Sequence, residues 1–225
     1  MCFSATASFS AGTVLLVIGT LTWRSAQRRC ERPFAAIPLL FALQQFIEGT
    51  IWLAFDHDML ALNAVSTGAC LFFSHLLWPV FVPSAVLLIE PQARRRRALG
   101  AFVIAGGLVS IWLIYTMATY GIVSRRIGRH IEYVTPHVLG ESTMTLYLLS
   151  TSVCMLLSSH RTVKAFGLLA LASFGIAYGV YATWFISVWC YFAALLSGVV
   201  LWHFSSRVDA DERRIPETIP IGECR

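Results

Sequence analysis

Charged side chains are scarce in this chain. They make up 13% of its 225 residues, and Lys164 is the only lysine. Hydrophobic residues account for 57%, and the mean hydropathy is +0.69. A soluble globular domain does not have this composition, so we expect an integral membrane protein whose first partner is the lipid bilayer. Retinal proteins of the microbial type are excluded, because they need a lysine inside the last span.

Long apolar stretches recur along the sequence, and each membrane-spanning helix needs roughly 20 apolar residues. The pattern predicts an all-α, polytopic membrane protein, a bundle of seven transmembrane helices. The expected spans are residues 5–23, 34–54, 66–89, 98–118, 142–158, 165–183 and 185–204. Residues 1–204 would form this domain, and residues 205–225 a polar cytoplasmic tail that we expect to be disordered.

Arginine placement predicts the orientation, because positive residues are retained in short cytoplasmic loops. With the N-terminus outside and the C-terminus in the cytoplasm, fourteen of the seventeen positive charges lie inside. The run Arg94–Arg97 borders a span, where it faces anionic lipid, so we expect no nucleic-acid partner. Residues 120–141 form the one long external loop, which its length predicts to be a lid over an outward-facing pocket.

The six cysteines are not arranged as a secreted disulfide framework, and no CxxC or CxxCH pattern is present. A zinc ribbon and c-type haem attachment are therefore not supported. Seven-span metal hydrolases place a serine four residues before a histidine, but Leu71 stands four before His75. The cofactor is left open, and a divalent metal is one option.

One span carries polar residues where hydrocarbon is expected. Gln44, Glu48 and Trp52 recur every four residues and so share a helix face, with Gln45 beside Glu48. An ionisable group at membrane depth costs several kcal/mol unless it is paired or hydrated, so Glu48 marks a functional site by default. A rise of about 1.5 Å per residue puts His75 of the next span at a similar depth.

The third, fifth, sixth and seventh spans also carry polar residues in this outer half of the membrane. Together these residues predict the wall of a cavity. The expected ligand-binding residues are Gln44, Gln45, Glu48, Trp52, Ser74, His75, Tyr147, Tyr178, Tyr181 and Cys190. The alternative interpretation is a buried polar clasp that fixes the register of two helices. Candidate metal ligands are Glu48, His75 and Cys2, because removal of Met1 would leave a free amine next to the Cys2 thiol.

The opening MCFSATASF, the stretch QQFIEGTIW and the stretch FSHLLWPVFVP are the most distinctive segments. Together they resemble a family of bacterial integral membrane proteins of unknown function, over nearly the whole chain. The resemblance implies seven spans and a bacterial cytoplasmic membrane, and it assigns no catalytic residue.

Two functions fit these observations. The first is binding, sensing or transport of a small polar or cationic ligand, with Glu48 compensating charge and His75 as second contact. The second is an intramembrane enzyme, such as a metal-dependent hydrolase, that uses Glu48 and His75, with Cys2 as ligand or nucleophile. Whether the protein is an enzyme is left open. A structural subunit is the third possibility, because Gly106 and Gly107 allow close packing in an oligomer.

Overall fold

The computed structural model describes residues 4–128, 130–134, 140–180 and 196–212. These segments are mostly helical, with a two-stranded antiparallel hairpin between the sixth and seventh helices. The helices are α1 Ala5–Ser25, α2 Arg32–Ala35, α3 Ile37–Asp56, α4 Leu60–Leu71, α5 Trp78–Ile89, α6 Ala93–Tyr120, α7 Glu141–Leu148, α8 Cys154–Leu156, α9 Arg161–Val180 and α10 Ser197–Glu212. A 3-10 turn covers Arg29–Glu31, π-helical turns cover Phe72–Leu77 and Leu149–Val153, and the strands are β1 Val123–Ile127 and β2 His130–Val134.

Four helical segments in the described part of the chain are long and apolar enough to cross a membrane. They are Ala5–Ser25, Arg29–Asp56, Leu60–Ile89 and Ala93–Tyr120. The prediction of a mostly helical chain with several helices long and apolar enough to span a membrane is confirmed. A two-stranded hairpin is present besides the helices, and α10 continues to Glu212, beyond residue 204 where the last span was expected to end.

Close packing of α1 on α3 depends on small residues at the contact. A Cβ atom added to Gly12 would lie 2.9 Å from the Phe46 ring, and one added to Gly49 would lie 2.8 Å from the Phe9 ring. Ser8 of α1 lies on the same face and is fully buried. Because neither glycine leaves room for a side chain, the two helices approach closely in the half of α3 that contains Glu48.

Two prolines interrupt the third span. The N–H of Trp78 donates to the carbonyl of Phe73, five residues back, which is the hydrogen bond of a π-helical turn. Pro79 and Pro83 have no N–H, so carbonyls one turn before them lose their main-chain donor. Helix α6 packs directly on this break: a Cβ atom added to Gly106 would lie 1.9 Å from the carbonyl oxygen of Pro79. Only glycine fits at that position.

The hairpin folds back onto the ends of α3 and α4. Its strands pair in the register Val123↔Val134 to Ile127↔His130, with Gly128 in a positive-φ conformation at the turn. Ile131 is buried in a cluster with Ile51, Trp52 and Cys70. The lid that we expected in the 120–141 loop is therefore, over Val123–Val134, an ordered pair of strands.

At the opposite end of the bundle, Glu90 joins the third span to the loop before α9. Its carboxylate accepts hydrogen bonds from the Ser159 N–H at 2.6 Å and the Ser159 hydroxyl at 2.5 Å. Arg95 donates to the carbonyls of Leu157 and Ser158. Hydrogen bonds of Glu90 and Arg95 thus hold the end of the third span and the start of α6 to the loop before α9.

The apolar core lies between these two polar ends. Its buried members come from α1, α2, α3, the third span, α6, α8, α9 and α10, with Phe34, Phe41, Trp78 and Phe204 among the largest. Cys154 in this core and Cys70 in the cluster with Ile131 carry free thiols. Cys30, half-buried at the start of the second span, is disulfide-bonded, which the sequence did not predict.

Candidate functional site: a polar layer between α3 and the third span

The polar residues of α3 are buried as predicted from their spacing. Gln44, Gln45, Glu48 and Trp52 are all 3% exposed or less. Helix α3 forms because its 20 residues are mostly apolar, with Pro38 in its first turn where no N–H is needed. Its polar side chains face protein, so each one has to find a partner inside the bundle.

Gln44 forms a hydrogen bond with a residue of the third span. Its Oε1 accepts a hydrogen bond of 2.8 Å from the indole Nε1 of Trp78. The Trp78 ring also stacks on Phe41 of α3, with 4.1 Å between ring centroids. We therefore assign Gln44 a helix-pairing contact, as in the clasp interpretation.

Glu48 and Gln45 form the second polar pair of α3. The amide Nε2 of Gln45 donates to Glu48 Oε2 at 3.3 Å. The other amide atom, Gln45 Oε1, has no hydrogen-bond partner although it is fully buried, and the same is true of the Ser8 hydroxyl on α1. A buried acceptor without a donor costs about 1–3 kcal/mol, so this pair is unusual for a purely structural contact.

His75 lies in the π-helical turn beside Ser74. The Ser74 hydroxyl is 2.7 Å from His75 Nδ1 and also within reach of the carbonyls of Leu71 and Cys70. All three groups are satisfied when Nδ1–H donates to the hydroxyl and the hydroxyl donates to a carbonyl. This tautomer leaves a lone pair on His75 Nε2, which is buried and has no hydrogen-bond partner.

Contacts between α3 and the third span fix the relative levels of these residues. Trp52 packs in one cluster with Cys70, and Gln44 bonds to Trp78 eight residues further along the antiparallel segment. Interpolation between the two contacts puts Glu48 level with Ser74 and His75. Among the described residues, no hydrogen bond or ion pair joins His75 to Glu48.

Tyr147, a predicted site residue, contacts the third span at Ser74. Its hydroxyl donates at 2.7 Å to the main-chain oxygen of Ser74. In the π register that oxygen would pair with the N–H of residue 79, which is proline, so Tyr147 supplies the missing donor from another helix. The sequence signal for this role is Pro79, five residues after Ser74.

Residues of the hairpin cover the polar layer between α3 and the third span at the Asp56 end of α3. The Tyr133 hydroxyl lies 3.3 Å from Cys70 Sγ, and Ser124 bonds to Thr67 at 2.8 Å. Arg126 forms an ion pair with Asp56 at 2.6 Å and lies 5.2 Å from the centre of the Trp52 ring. Desolvation lowers the pKa of His130 on the same hairpin, with a further contribution from the positive N-terminus.

A separate apolar cleft lies on the other side of Trp78. It encloses about 460 Å³, including its open mouth, and Tyr147 is the one predicted site residue in its wall. The lining residues are Ile37, Phe41, Trp78, Val82, Tyr147, Thr151, Ser152, Met155, Phe166 and Ala170. Glu48 and His75 do not line it, so the predicted polar pocket and this cleft are different places.

The remaining predicted residues are not all within the described structure. Cys2, Tyr181 and Cys190 lie outside the described residues, as does the side chain of Tyr178. Among the described residues, no group of three or more His, Cys, Asp and Glu side chains is arranged to hold a metal ion. Of the three predicted metal ligands, the structure therefore describes Glu48 and His75, and Cys2 lies outside the described residues.

Comparison with known proteins identifies one family and no closer relative of known activity. No curated protein and no solved structure matches the chain. Residues 1–215 match the description of a family of unknown function, DUF6629. That match covers every described helix and strand, and the chain belongs to the family of unknown function DUF6629.

Proposed function

We propose that this membrane protein binds a small polar or cationic ligand within the bilayer, as a sensor or transporter, at a site formed by Glu48, Gln45 and His75. The observation that carries the proposal is the combination of a buried carboxylate with unpaired buried polar atoms at one level. The Glu48 carboxylate adds negative charge to this layer, which favours a cationic ligand over an anionic one. Gln44 and Tyr147 hold the helices around the site.

The proposed topology has seven spans, the N-terminus outside and the arginine-rich loops in the cytoplasm. The Glu48 layer then lies in the outer half, under the hairpin. Disulfides are rare in a reducing cytoplasm, so Cys30 makes this orientation worth testing directly. In intact cells, a membrane-impermeant maleimide should label Asp58→Cys, and should label Arg94→Cys only after permeabilisation. The reverse pattern would invert the topology.

Ligand binding is tested on the full chain purified in detergent. The thermal unfolding midpoint is measured against rising sodium, potassium, methylammonium and choline chloride at constant ionic strength. We expect at least one cation to raise the midpoint saturably in the wild type. Glu48→Gln should lose that response.

The matched control is Asp58→Asn, which removes an exposed carboxylate at a positive-φ position that asparagine tolerates. It should respond like the wild type. If no cation gives a saturable shift, or if Glu48→Gln responds like the wild type, the proposed function is wrong.

A second candidate, the metal-dependent intramembrane enzyme, is favoured by the lone pair that the Ser74 contact leaves on His75 Nε2. Imidazole nitrogen is a common zinc ligand, and a catalytic zinc site takes three protein ligands. Glu48 and Cys2 would complete the set. Elemental analysis of purified wild type and His75→Ala tests it: one metal ion per chain, lost in the variant, would replace the binding proposal with the enzyme.

A further inference from the structure

The apolar cleft beside Trp78 has a regular wall made by several helices. On α3, α5 and α9 its lining residues come in pairs four positions apart, which places each pair on one helix face. These pairs are Ile37 and Phe41, Trp78 and Val82, and Phe166 and Ala170. Both α3 and α5 belong to helical segments long and apolar enough to cross a membrane. Clefts between the helices of a bundle are a common place for small-molecule sites.

Helix α9 cannot move closer to narrow this cleft. A Cβ atom added to Gly167 would lie 2.7 Å from Met155 Cβ and 3.0 Å from the main-chain oxygen of Ser152. The backbone of α9 is therefore already in close contact with the π-helical turn and α8. Because these elements meet at Gly167, the space beside Ala170 is set by the packing of the helices.

Most hydrogen-bonding groups of the wall are used within the protein. Trp78 Nε1 donates to Gln44, and the hydroxyls of Tyr147 and Thr151 donate to main-chain oxygens. Ser152 differs from them. Its side chain is 1% exposed and lines the cleft, and its hydroxyl has no hydrogen-bond partner. A buried hydroxyl without a partner costs about 1–3 kcal/mol, so Ser152 has a donor to offer to a bound molecule.

The wall also determines the charge of the molecule that fits. Of the ten described residues that line the cleft, none is charged. A charged group placed there would lose its hydration without gaining an ionic partner. Glu48 and His75 lie outside this wall, so a molecule bound in the cleft does not depend on the proposed cation site.

From these contacts we infer that the cleft is a second binding site, which takes an uncharged lipid. A hydroxyl or ester carbonyl oxygen of the lipid accepts a hydrogen bond from the Ser152 hydroxyl. Its hydrocarbon chain packs against the aromatic and aliphatic side chains of the wall and continues through the open mouth. A plain hydrocarbon would make the same apolar contacts but would leave the Ser152 hydroxyl unpaired.

Photolabelling of the full-length protein tests this site. Wild type in lipid nanodiscs is irradiated with a dodecanol that carries a diazirine near the end of its chain, and labelled peptides are identified by mass spectrometry. We expect saturable labelling of the segments that contain Met155 and Phe166. Unlabelled dodecanol should suppress it at a mole fraction in the lipid roughly tenfold lower than dodecane requires, a ratio that corresponds to one buried hydrogen bond.

Two further competitors identify the oxygen and the charge. Suppression by methyl dodecanoate at the same mole fraction as dodecanol assigns an acyl ester, and suppression by dodecanol alone assigns a free lipid alcohol. Dodecyltrimethylammonium, which keeps its charge at every pH, should be at least tenfold weaker than dodecanol. If dodecane or this cation competes as well as dodecanol, or if labelling of the Met155 and Phe166 segments does not saturate, the uncharged-lipid site is wrong.

A serine pair assigns the hydrogen bond. Ser152→Ala should remove the preference for dodecanol over dodecane without lowering the unfolding midpoint, because its hydroxyl has no protein partner. Ser150→Ala is the matched control on the same π-helical turn. The Ser150 hydroxyl donates to the Tyr147 main-chain oxygen and does not line the cleft, so this variant should keep the preference. If Ser152→Ala folds and keeps it too, the role of Ser152 is overturned.

An alanine pair on α9 tests the location. Ala170→Leu puts a larger side chain into the cleft and should abolish saturable labelling. Ala172→Leu, at an exposed position of the same helix, should leave it unchanged. Labelling that persists in a folded Ala170→Leu variant would place the lipid elsewhere. The competition on wild type needs no variant, so it decides even if Ala170→Leu does not fold.

Discussion

The Tyr147 hydroxyl donates a 2.7 Å hydrogen bond to the main-chain oxygen of Ser74, across two helices. Pro79 is the reason that this oxygen needs a side-chain donor, because the π register would pair it with a proline nitrogen. The contact holds α7 against the segment that carries His75. It therefore fixes the position of that segment relative to α7.

Tyr147→Phe should lower the stability of the folded chain by about 1 kcal/mol, the usual scale of a hydrogen bond between transmembrane helices. For a chain of this size that corresponds to a fall of about 2–4 °C in the unfolding midpoint. Tyr115→Phe is the control, because Tyr115 is 59% exposed. If both variants unfold at the wild-type temperature, the contact does not stabilise the bundle.

Gly106→Ala should be much more damaging than Gly107→Ala. The added methyl group at 106 would lie 1.9 Å from the Pro79 oxygen, whereas nothing lies within 4 Å at 107. Overpacking against main chain costs about 1–3 kcal/mol or more, whereas a glycine-to-alanine change in a helix with open space for the methyl group gains up to about 1 kcal/mol. Unfolding midpoints in detergent should therefore fall for the first variant and stay level or rise for the second. Equal effects would contradict the close contact.

The burial of the polar face of α3 was predictable from the sequence. Four-residue spacing places Gln44, Glu48 and Trp52 on one face, and the rise per residue gives the level of His75 relative to Glu48. Both depend only on regular helix geometry, which the apolar composition of these spans ensures. The partners of these residues were not predictable, because Gln44 bonds to Trp78 through a contact between separate helices.

The positions of the π-helical turns could not be predicted from regular helix geometry. A π turn shifts the hydrogen-bond register by one residue, and it persists at Ser74 because Tyr147 and Pro79 act together across the fold. The strands, by contrast, have a local signal in the sequence. Val123–Ile127 and His130–Val134 flank Gly128, a pattern typical of a β-hairpin.

The hairpin should control access to Cys70, whose buried thiol lies 3.3 Å from the Tyr133 hydroxyl. Ile131 is 1% exposed in the cluster beneath it, and an isoleucine-to-alanine change at a buried site costs about 2–5 kcal/mol. Ile131→Ala should therefore open the hairpin more often and raise the alkylation rate of Cys70 at least tenfold. Peptide mass spectrometry after maleimide treatment measures this rate for Cys70 alone.

Val123→Ala is the matched control on the same hairpin, because Val123 is 51% exposed. It should leave the Cys70 alkylation rate unchanged. If Ile131→Ala folds and its Cys70 reacts no faster than in the wild type, the hairpin does not cover this side of the site.

Acid should weaken the contact between Glu90 and Ser159. Burial by itself raises the pKa of Glu90, but hydrogen bonds from Ser159 and Gln92 and the nearby Arg95 lower it more, so that it lies below 4.5. A carboxylate with a depressed pKa stabilises the fold at a pH above its unfolded value and loses that effect as the pH falls through its folded value.

Glu90→Gln should thus lower the unfolding midpoint at pH 7, by an amount corresponding to about 2 kcal/mol. The difference from wild type should shrink as the pH is lowered below about 4.5, while Asp58→Asn, at an exposed position, should follow the wild-type curve throughout. A constant difference between Glu90→Gln and wild type from pH 7 to pH 3 would show that the charge of Glu90 does not hold the third span to the loop before α9.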